Sequence, residues 1–119
     1  MSDREEEKSV VVAIATLLDD ARCRDTVAID VRESCSFADY FIIATVNSQA
    51  HLRGLIGQLD EYFREIGVRP LHPRSRSTDA GWVLLDLGYG VIHLMTEELR
   101  DFYELERLWF GAETVFPAS

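Results

Sequence analysis

Residues 81–95 read GWVLLDLGYGVIHLM, which is two apolar segments separated by a short glycine-containing break. Successive side chains of a β-strand point to opposite faces, so residues 81–87 divide into two sets. The two sets are Trp82, Leu84 and Asp86 on one face and Val83, Leu85 and Leu87 on the other. Gly88 followed by Tyr89 fits a two-residue turn of type II′, which requires a positive φ only at its first central residue. With residues 91–95 as the returning strand, the stretch predicts a β-hairpin.

Amphipathic helices are predicted on both sides of this hairpin. In residues 3–22, apolar side chains recur at spacings of three and four and form one stripe. The same periodicity runs from a cap at Asn47 or Ser48 to about residue 66, and the glycine that follows suits the left-handed end of a helix. After the hairpin, Thr96 is a capping residue for a third helix, EELRDFYELERLWF.

Three further strands complete the predicted sheet. Residues 26–32 alternate between apolar and polar side chains, and residues 39–46 are almost continuously apolar, which is typical of a strand buried on both faces. Residues 68–73 predict a short edge strand, because their two prolines cannot donate a ladder hydrogen bond. Residues 112–119 form a tail that we expect to be poorly ordered.

The whole chain, residues 1–119, is predicted to be a single α/β (α+β) domain with a mixed five-stranded sheet flanked by helices. Hydrophobic residues make up 47% of the 119 residues, enough to fill a core. Cys23 and Cys35 are isolated, and we interpret both as reduced thiols of a cytoplasmic protein. No apolar run approaches the roughly 20 residues of a membrane helix, so no membrane partner is expected. The acidic start, MSDREEEKS, is not typical of a signal or transit peptide.

The formal net charge of −9 limits the possible partners. It argues against wrapping of nucleic acid, which requires clustered Lys and Arg. It suits a partner with a basic surface, because opposite fields speed encounter; an acidic balance that only keeps the protein soluble is the alternative. Arg69, Arg74 and Arg76 form a basic patch, either a solvated loop or a contact for phosphate or an acidic partner.

The sequence carries no motif for catalysis or metal binding. The histidines fall on a helix, a loop and a strand: His51, His72 and His93. None has a second ligand at metal-binding spacing. A nucleotidyl-transfer site would hold Mg²⁺ between paired carboxylates, but Asp30, Asp39 and Asp86 stand singly, and their convergence in space stays open. The sequence therefore predicts a protein that is not an enzyme and uses no cofactor. His93, between apolar neighbours on a strand, is expected to pack and donate one hydrogen bond.

Clustered aromatic and charged side chains indicate binding instead. Trp, Tyr and Arg are the preferred anchors of protein interfaces. Trp82 and Tyr89 bracket the hairpin. Arg100, Tyr103 and Trp109 line the helix that follows it. We interpret Trp109 as a core residue and Trp82, which starts a strand beside a polar loop, as a surface residue.

Three separated motifs resemble one known family. SFADYFIIATVNSQAHLRGL, GWVLLDLGYGVIHL and RDFYELERLW are similar, in this order, to motifs of the ribosomal silencing factor family, also called Iojap-related. The resemblance covers about residues 25–109 and leaves residues 1–24 as an N-terminal helix. It implies a compact domain with a mixed sheet, similar in shape to nucleotidyltransferases but without their catalytic motif.

The resemblance also implies a function. Members of this family bind the large ribosomal subunit at ribosomal protein fourteen and sterically block joining of the small subunit. This represses translation when nutrients are scarce. Members also form homodimers. The chain is thereby expected to be a translational repressor of the cytoplasm.

The residues of the contact surface are carried over position by position from the family's hairpin and helix. The expected surface consists of Trp82, Asp86, Leu87, Gly88, Tyr89, Arg100, Tyr103 and Glu106. The chain departs from the family pattern at Leu87, where the family has Tyr, and at Tyr89, where it has Asp. With Asp86 and Glu106, Glu104 supplies acidity toward a basic ribosomal protein. Extra Arg residues precede the hairpin, and a minor contact with ribosomal RNA through them is expected: Arg74 and Arg76.

Two other functions stay open at the level of sequence. One is a nucleotidyltransferase-like enzyme that depends on Mg²⁺ and on convergent carboxylates. The other is a dimerisation module whose exposed aromatic side chains serve self-association.

Overall fold

A computed structural model describes residues 3–33, 36, 38–70, 81–103 and 111–117. Its elements, in chain order, are α1 (Asp3–Asp20), β1 (Arg24–Asp30), β2 (Tyr40–Val46), α2 (Gln49–Ile66), β3 (Trp82–Asp86), β4 (Gly90–Thr96), α3 (Glu97–Tyr103) and β5 (Glu113–Phe116). The described strands form one five-stranded sheet in the order β3-β4-β2-β1-β5. The β2–β4 pair is parallel and the other pairs are antiparallel, which confirms the predicted mixed sheet.

The fifth strand is not the predicted one. Residues 68–70 contain no strand, and the rest of the predicted segment 68–73 lies outside the described residues. Instead β5 forms at the far end of the chain and pairs with β1, with Asp30 opposite Glu113. The expectation of a poorly ordered tail was therefore wrong for the residues of β5. A Thr-Val-Phe run suits a strand. Its hydrogen-bonding partner, β1, lies more than 80 residues earlier in the chain.

The α2 helix shows how local signals set the boundaries of an element. The hydroxyl of Ser48 accepts a hydrogen bond from the N–H of His51 at 3.0 Å, which caps the first turn. Gly67 has a φ of 73° and ends the helix in the left-handed conformation, as predicted. The buried side chains of α2 follow helical spacing: Leu52, Leu55, Leu59 and Phe63.

Helices α1 and α2 cover one face of the sheet. Their apolar stripes form a first cluster with inward residues of four strands, including Ile42, Leu85 and Leu94. The other face carries a second cluster, in which Phe41, Ile43 and Met95 are buried and the partly buried Leu99 of α3 packs against them. Every residue of β2 is buried, as its continuous apolar run predicts.

Candidate functional site

The β3–β4 hairpin forms as predicted, with Trp82 opposite Met95 and Asp86 opposite Val91. Side chains of β3 alternate between two environments. Val83 and Leu85 are buried in the first cluster, whereas Leu84 is 41% exposed on the opposite side. We call the outward residues of this strand the β3 face: Trp82, Leu84 and Asp86. It combines a half-buried Trp, an exposed Leu and a half-buried carboxylate.

Local hydrogen bonds fix the hairpin turn. Gly88 has a φ of 93°, a conformation that glycine adopts at little cost. The N–H of Leu87 donates to the carbonyl oxygen of Gly90 at 2.8 Å. The Oδ1 of Asp86 accepts from the N–H of Gly88 at 2.8 Å, so this carboxylate holds the turn as well as carrying charge.

Leu87 was expected on the contact surface, and the structure places its side chain in the interior. Its side chain is only 6% exposed and belongs to the first cluster. The alternation of residues 81–87 already places it on the same face as Val83, so burial follows from the strand itself. Leu87 supports the hairpin from within.

Tyr89 is half-buried against the first cluster, on the side of the sheet that carries α1. Burial, and secondly the negative charge of Glu7, raise the pKa of its hydroxyl. Its carbonyl oxygen accepts hydrogen bonds from the N–H groups of Asp39 and Tyr40, at 2.9 and 3.0 Å. Trp82 packs against the second cluster, so the two aromatic residues that bracket the hairpin pack on opposite faces of the sheet.

Arg100 was also expected on the contact surface, and its side chain is instead buried, at 6% exposure. Its Nη1 donates to the carbonyl oxygen of Asp25 at 2.7 Å and to the Oγ1 of Thr45 at 2.8 Å. Tyr103 is the last described residue of α3. The remaining residues assigned to the partner contact lie outside the described part of the chain: Arg74, Arg76, Glu104 and Glu106.

His93 packs on β4 between two aromatic rings. Its ring lies 5.2 Å from that of Phe41, edge to face, and 6.2 Å from that of Trp82. Among the described residues neither ring nitrogen has a hydrogen-bond partner, contrary to the one bond expected from sequence. Burial lowers the pKa of His93 to about 4. The side chain is therefore neutral at physiological pH and acts as part of the core.

The described residues show no cluster suited to a metal ion, and their buried thiol is protonated. They contain no group of three or more His, Cys, Asp or Glu side chains that could hold a metal ion. Asp30 forms an ion pair with Arg32. Cys23 is buried, and burial, with the nearby charge of Asp19, raises its pKa to about 12, so its thiol stays protonated. None of the described helices is long and apolar enough to cross a membrane.

Sequence reasoning missed a polar junction at the end of β2. The side chain of Asn47 donates through Nδ2 to the carbonyl oxygen of Arg22 at 3.0 Å and accepts at Oδ1 from the Nε of Arg24 at 2.8 Å. Its N–H donates to the Nδ1 of His51 at 3.0 Å. Because Nδ1 of His51 accepts this bond, its Nε2 carries the ring proton and donates to the carbonyl oxygen of Ala21 at 2.7 Å. Asn47 thus joins the end of α1, the start of β1 and the start of α2.

We expect Asn47→Ala to lower the free energy of unfolding by about 1 kcal/mol, because two side-chain hydrogen bonds at an exposed junction are lost. Urea unfolding of both proteins measures the difference. Gln58→Ala, also on the surface of α2, is the control and should change stability by less than about 0.5 kcal/mol. An Asn47→Ala protein as stable as wild type would contradict this role of the junction.

The comparisons with known proteins decide the family. The model of the family described as "Ribosomal silencing factor during starvation" matches residues 4–118. The chain belongs to the ribosomal silencing factor family. It is 37% identical to a ribosomal silencing factor of Treponema pallidum over 82% of this chain and 86% of the relative. It is 34% identical to a mouse protein named for mitochondrial assembly of the ribosomal large subunit, over 81% of this chain and 43% of that protein.

Solved structures agree with this assignment. A crystal structure of a Chromobacterium violaceum protein superposes with a TM-score of 0.74 at 29% identity, and covers 87% of this chain and 84% of that chain. The α+β architecture of this family member is therefore shared with a structure determined by experiment. Family membership confirms the resemblance drawn from the three motifs.

Proposed function

We propose that this silencing factor binds the large ribosomal subunit at ribosomal protein fourteen and prevents the small subunit from joining. The observation that carries the proposal is the family match over residues 4–118. The name of the mouse relative, which refers to the large subunit, supports that subunit as the partner. No bond is made or broken: the bound domain occupies volume that the small subunit requires. Occupancy represses translation when nutrients are scarce.

The contact surface in this proposal is centred on the β3 face. Among the described residues, the exposed large apolar side chains are Leu84, at 41%, and Ile66, at 38%. Leu84 lies between the half-buried Trp82 and the carboxylate of Asp86, an arrangement of apolar centre and polar rim that protein interfaces favour. Ile66 is at the end of α2 and lies outside the hairpin.

From the β3 face the proposed surface extends in two directions. Toward the turn it includes Gly88 and the exposed part of Tyr89, and in the other direction it includes the two residues assigned from the family's helix motif, Tyr103 and Glu106. The net charge of −9 favours encounter with a basic ribosomal protein, since opposite fields raise association rates. Leu84, which the motif comparison did not assign, is added to the surface.

Leu84→Ala should weaken binding to large subunits about fivefold, because burial of the lost methyl groups is worth about 1 kcal/mol. Sedimentation of the purified protein with separated subunits measures this, with bound protein quantified across a concentration series. The matched control is Ile66→Ala, which removes an apolar side chain of similar exposure from α2 and should leave binding unchanged. Equal losses for both variants would contradict the location of the surface.

Two further contacts belong to the proposal. Arg74 and Arg76 reach ribosomal RNA beside ribosomal protein fourteen, so their replacement by Gln should reduce the salt dependence of binding.

The free protein forms a homodimer, which sedimentation equilibrium measures directly. The cytoplasm, where ribosomal subunits meet, is the proposed location.

A further inference from the structure

Arg100 connects α3 to two neighbouring strands of the sheet, β1 and β2. One nitrogen, Nη1, makes both described bonds, to the carbonyl oxygen of Asp25 on β1 and to the Oγ1 of Thr45 on β2. Thr45 is 2% exposed and Arg100 is 6% exposed, so both lie inside the fold. Hydrogen bonds from a charged donor are stronger than neutral ones. Arg100 therefore fixes α3 against the ends of β1 and β2.

Thr96, the last residue of β4 and the cap of α3, and Leu99 of α3 both contact Gly81 at the start of β3. The Oγ1 of Thr96 accepts from the N–H of Leu99 at 3.4 Å and caps the helix. The N–H of Thr96 donates to the carbonyl oxygen of Gly81 at 3.0 Å. A Cβ on Gly81 would lie 3.1 Å from the Cγ2 of Thr96 and 3.3 Å from the Cδ1 of Leu99, so this contact is tight.

Trp82 follows Gly81 directly and packs, like Leu99, against the second cluster. The strand register places Trp82, Met95 and Thr45 in one row across β3, β4 and β2. Thr45, which accepts a bond from Arg100, and Trp82 of the β3 face therefore lie at the same end of the sheet. A shift of α3 away from Thr45 would move the surface on which residues 81–82 rest.

We propose that Arg100 is a positioning residue for the large-subunit contact, acting through α3 on Trp82 rather than touching the ribosome. This inference rests on the proposed function of the β3 face. It assigns to a buried guanidinium the role of setting the geometry of a surface on β3, two strands away from its acceptor on β2. Thr45 has the same role, since it accepts one of the two described bonds.

Thr45→Val separates positioning from direct contact. It removes the acceptor, keeps the shape, and changes a residue that is 2% exposed and out of reach of a partner. We expect Thr45→Val to weaken large-subunit binding about fivefold and Arg100→Gln about tenfold. The double variant should be no weaker than Arg100→Gln alone, because Arg100→Gln already removes the bond that Thr45→Val breaks. Arg100→Lys should recover part of the loss, because a single ammonium nitrogen can replace Nη1.

Thr26→Val is the matched control. Thr26 is buried at 6% exposure on β1, and among the described residues its hydroxyl has no hydrogen-bond partner. The same chemical change there should leave binding at the wild-type value.

Two further readouts test the mechanism. The slope of binding against salt concentration should be the same for wild type and Arg100→Gln, because no ribosomal contact is lost. In a Trp109→Phe background, the emission of Trp82 should shift in folded Thr45→Val and Arg100→Gln proteins and stay unchanged in Thr26→Val.

Wild-type binding by Thr45→Val, together with lost binding and a reduced salt slope in Arg100→Gln, would overturn the inference and make Arg100 a direct contact. An unchanged Trp82 emission in both variants would also overturn it. Failure of wild type to bind large subunits would instead refute the proposed function. In that case the Trp82 emission still decides whether Arg100 positions this surface.

Discussion

Lowering the pH from 6.5 to 4 should remove about 3 kcal/mol of stability from this fold through His93. In the unfolded chain this imidazole takes up its proton near its ordinary pKa, 6.5, whereas burial lowers the folded-state pKa to about 4. Between these values the unfolded state binds more protons, so stability falls as the pH falls. The contribution is complete about one pH unit above 6.5, and its loss is complete about one unit below 4.

His93→Leu is the variant that isolates this effect. Leucine is similar to histidine in size and has no titrating group, and the change removes two nitrogens that have no hydrogen-bond partner among the described residues. Urea unfolding at several pH values gives the free energy for both proteins. Titration of the carboxylates is common to both, so the difference between the curves belongs to His93. Equal slopes between pH 6.5 and 4 would contradict a buried, neutral His93.

Trp82→Ala should weaken large-subunit binding by about 2 kcal/mol, or about 30-fold, if the β3 face is the ribosomal contact. Trp82 is half-buried against the second cluster and beside the exposed Leu84, so its position is fixed and part of the ring remains accessible to a partner. Aromatic anchors of this kind lose the most when truncated. Binding is measured by sedimentation with purified large subunits.

The control for Trp82→Ala addresses stability. Loss of a half-buried indole also lowers the free energy of unfolding, so each variant is first shown to be folded by its urea transition. Trp82→Phe keeps an aromatic ring and should bind with an intermediate affinity. A folded Trp82→Ala protein that binds as tightly as wild type would remove Trp82 from the surface.

The elements predicted best from sequence are those whose signals are local. Ser48 and Gly67 mark both ends of α2, and the alternation within residues 81–87 sets the two faces of β3. These features depend on neighbours a few residues away. They required no knowledge of which strands pair.

The features that sequence reasoning missed depend on distant partners. Strand β5 forms its backbone hydrogen bonds with β1, which lies near the other end of the chain. Arg100 looked like an interface anchor because its buried acceptors, on Asp25 and Thr45, lie 75 and 55 residues earlier. Strand alternation predicts that Leu87 points inward, and its side chain is buried in the first cluster, although the family motif assigns Leu87 to the contact surface.

A subunit-joining experiment tests the central claim most directly. Large subunits are incubated with the protein over a concentration series that spans its Kd, small subunits are added, and joined ribosomes are quantified on a sucrose gradient. The occlusion account predicts that the joined fraction falls in proportion to the fraction of large subunits occupied, and that Trp82→Ala restores joining at the same protein concentration. Joined ribosomes that form at the normal level and still carry the bound protein would contradict it.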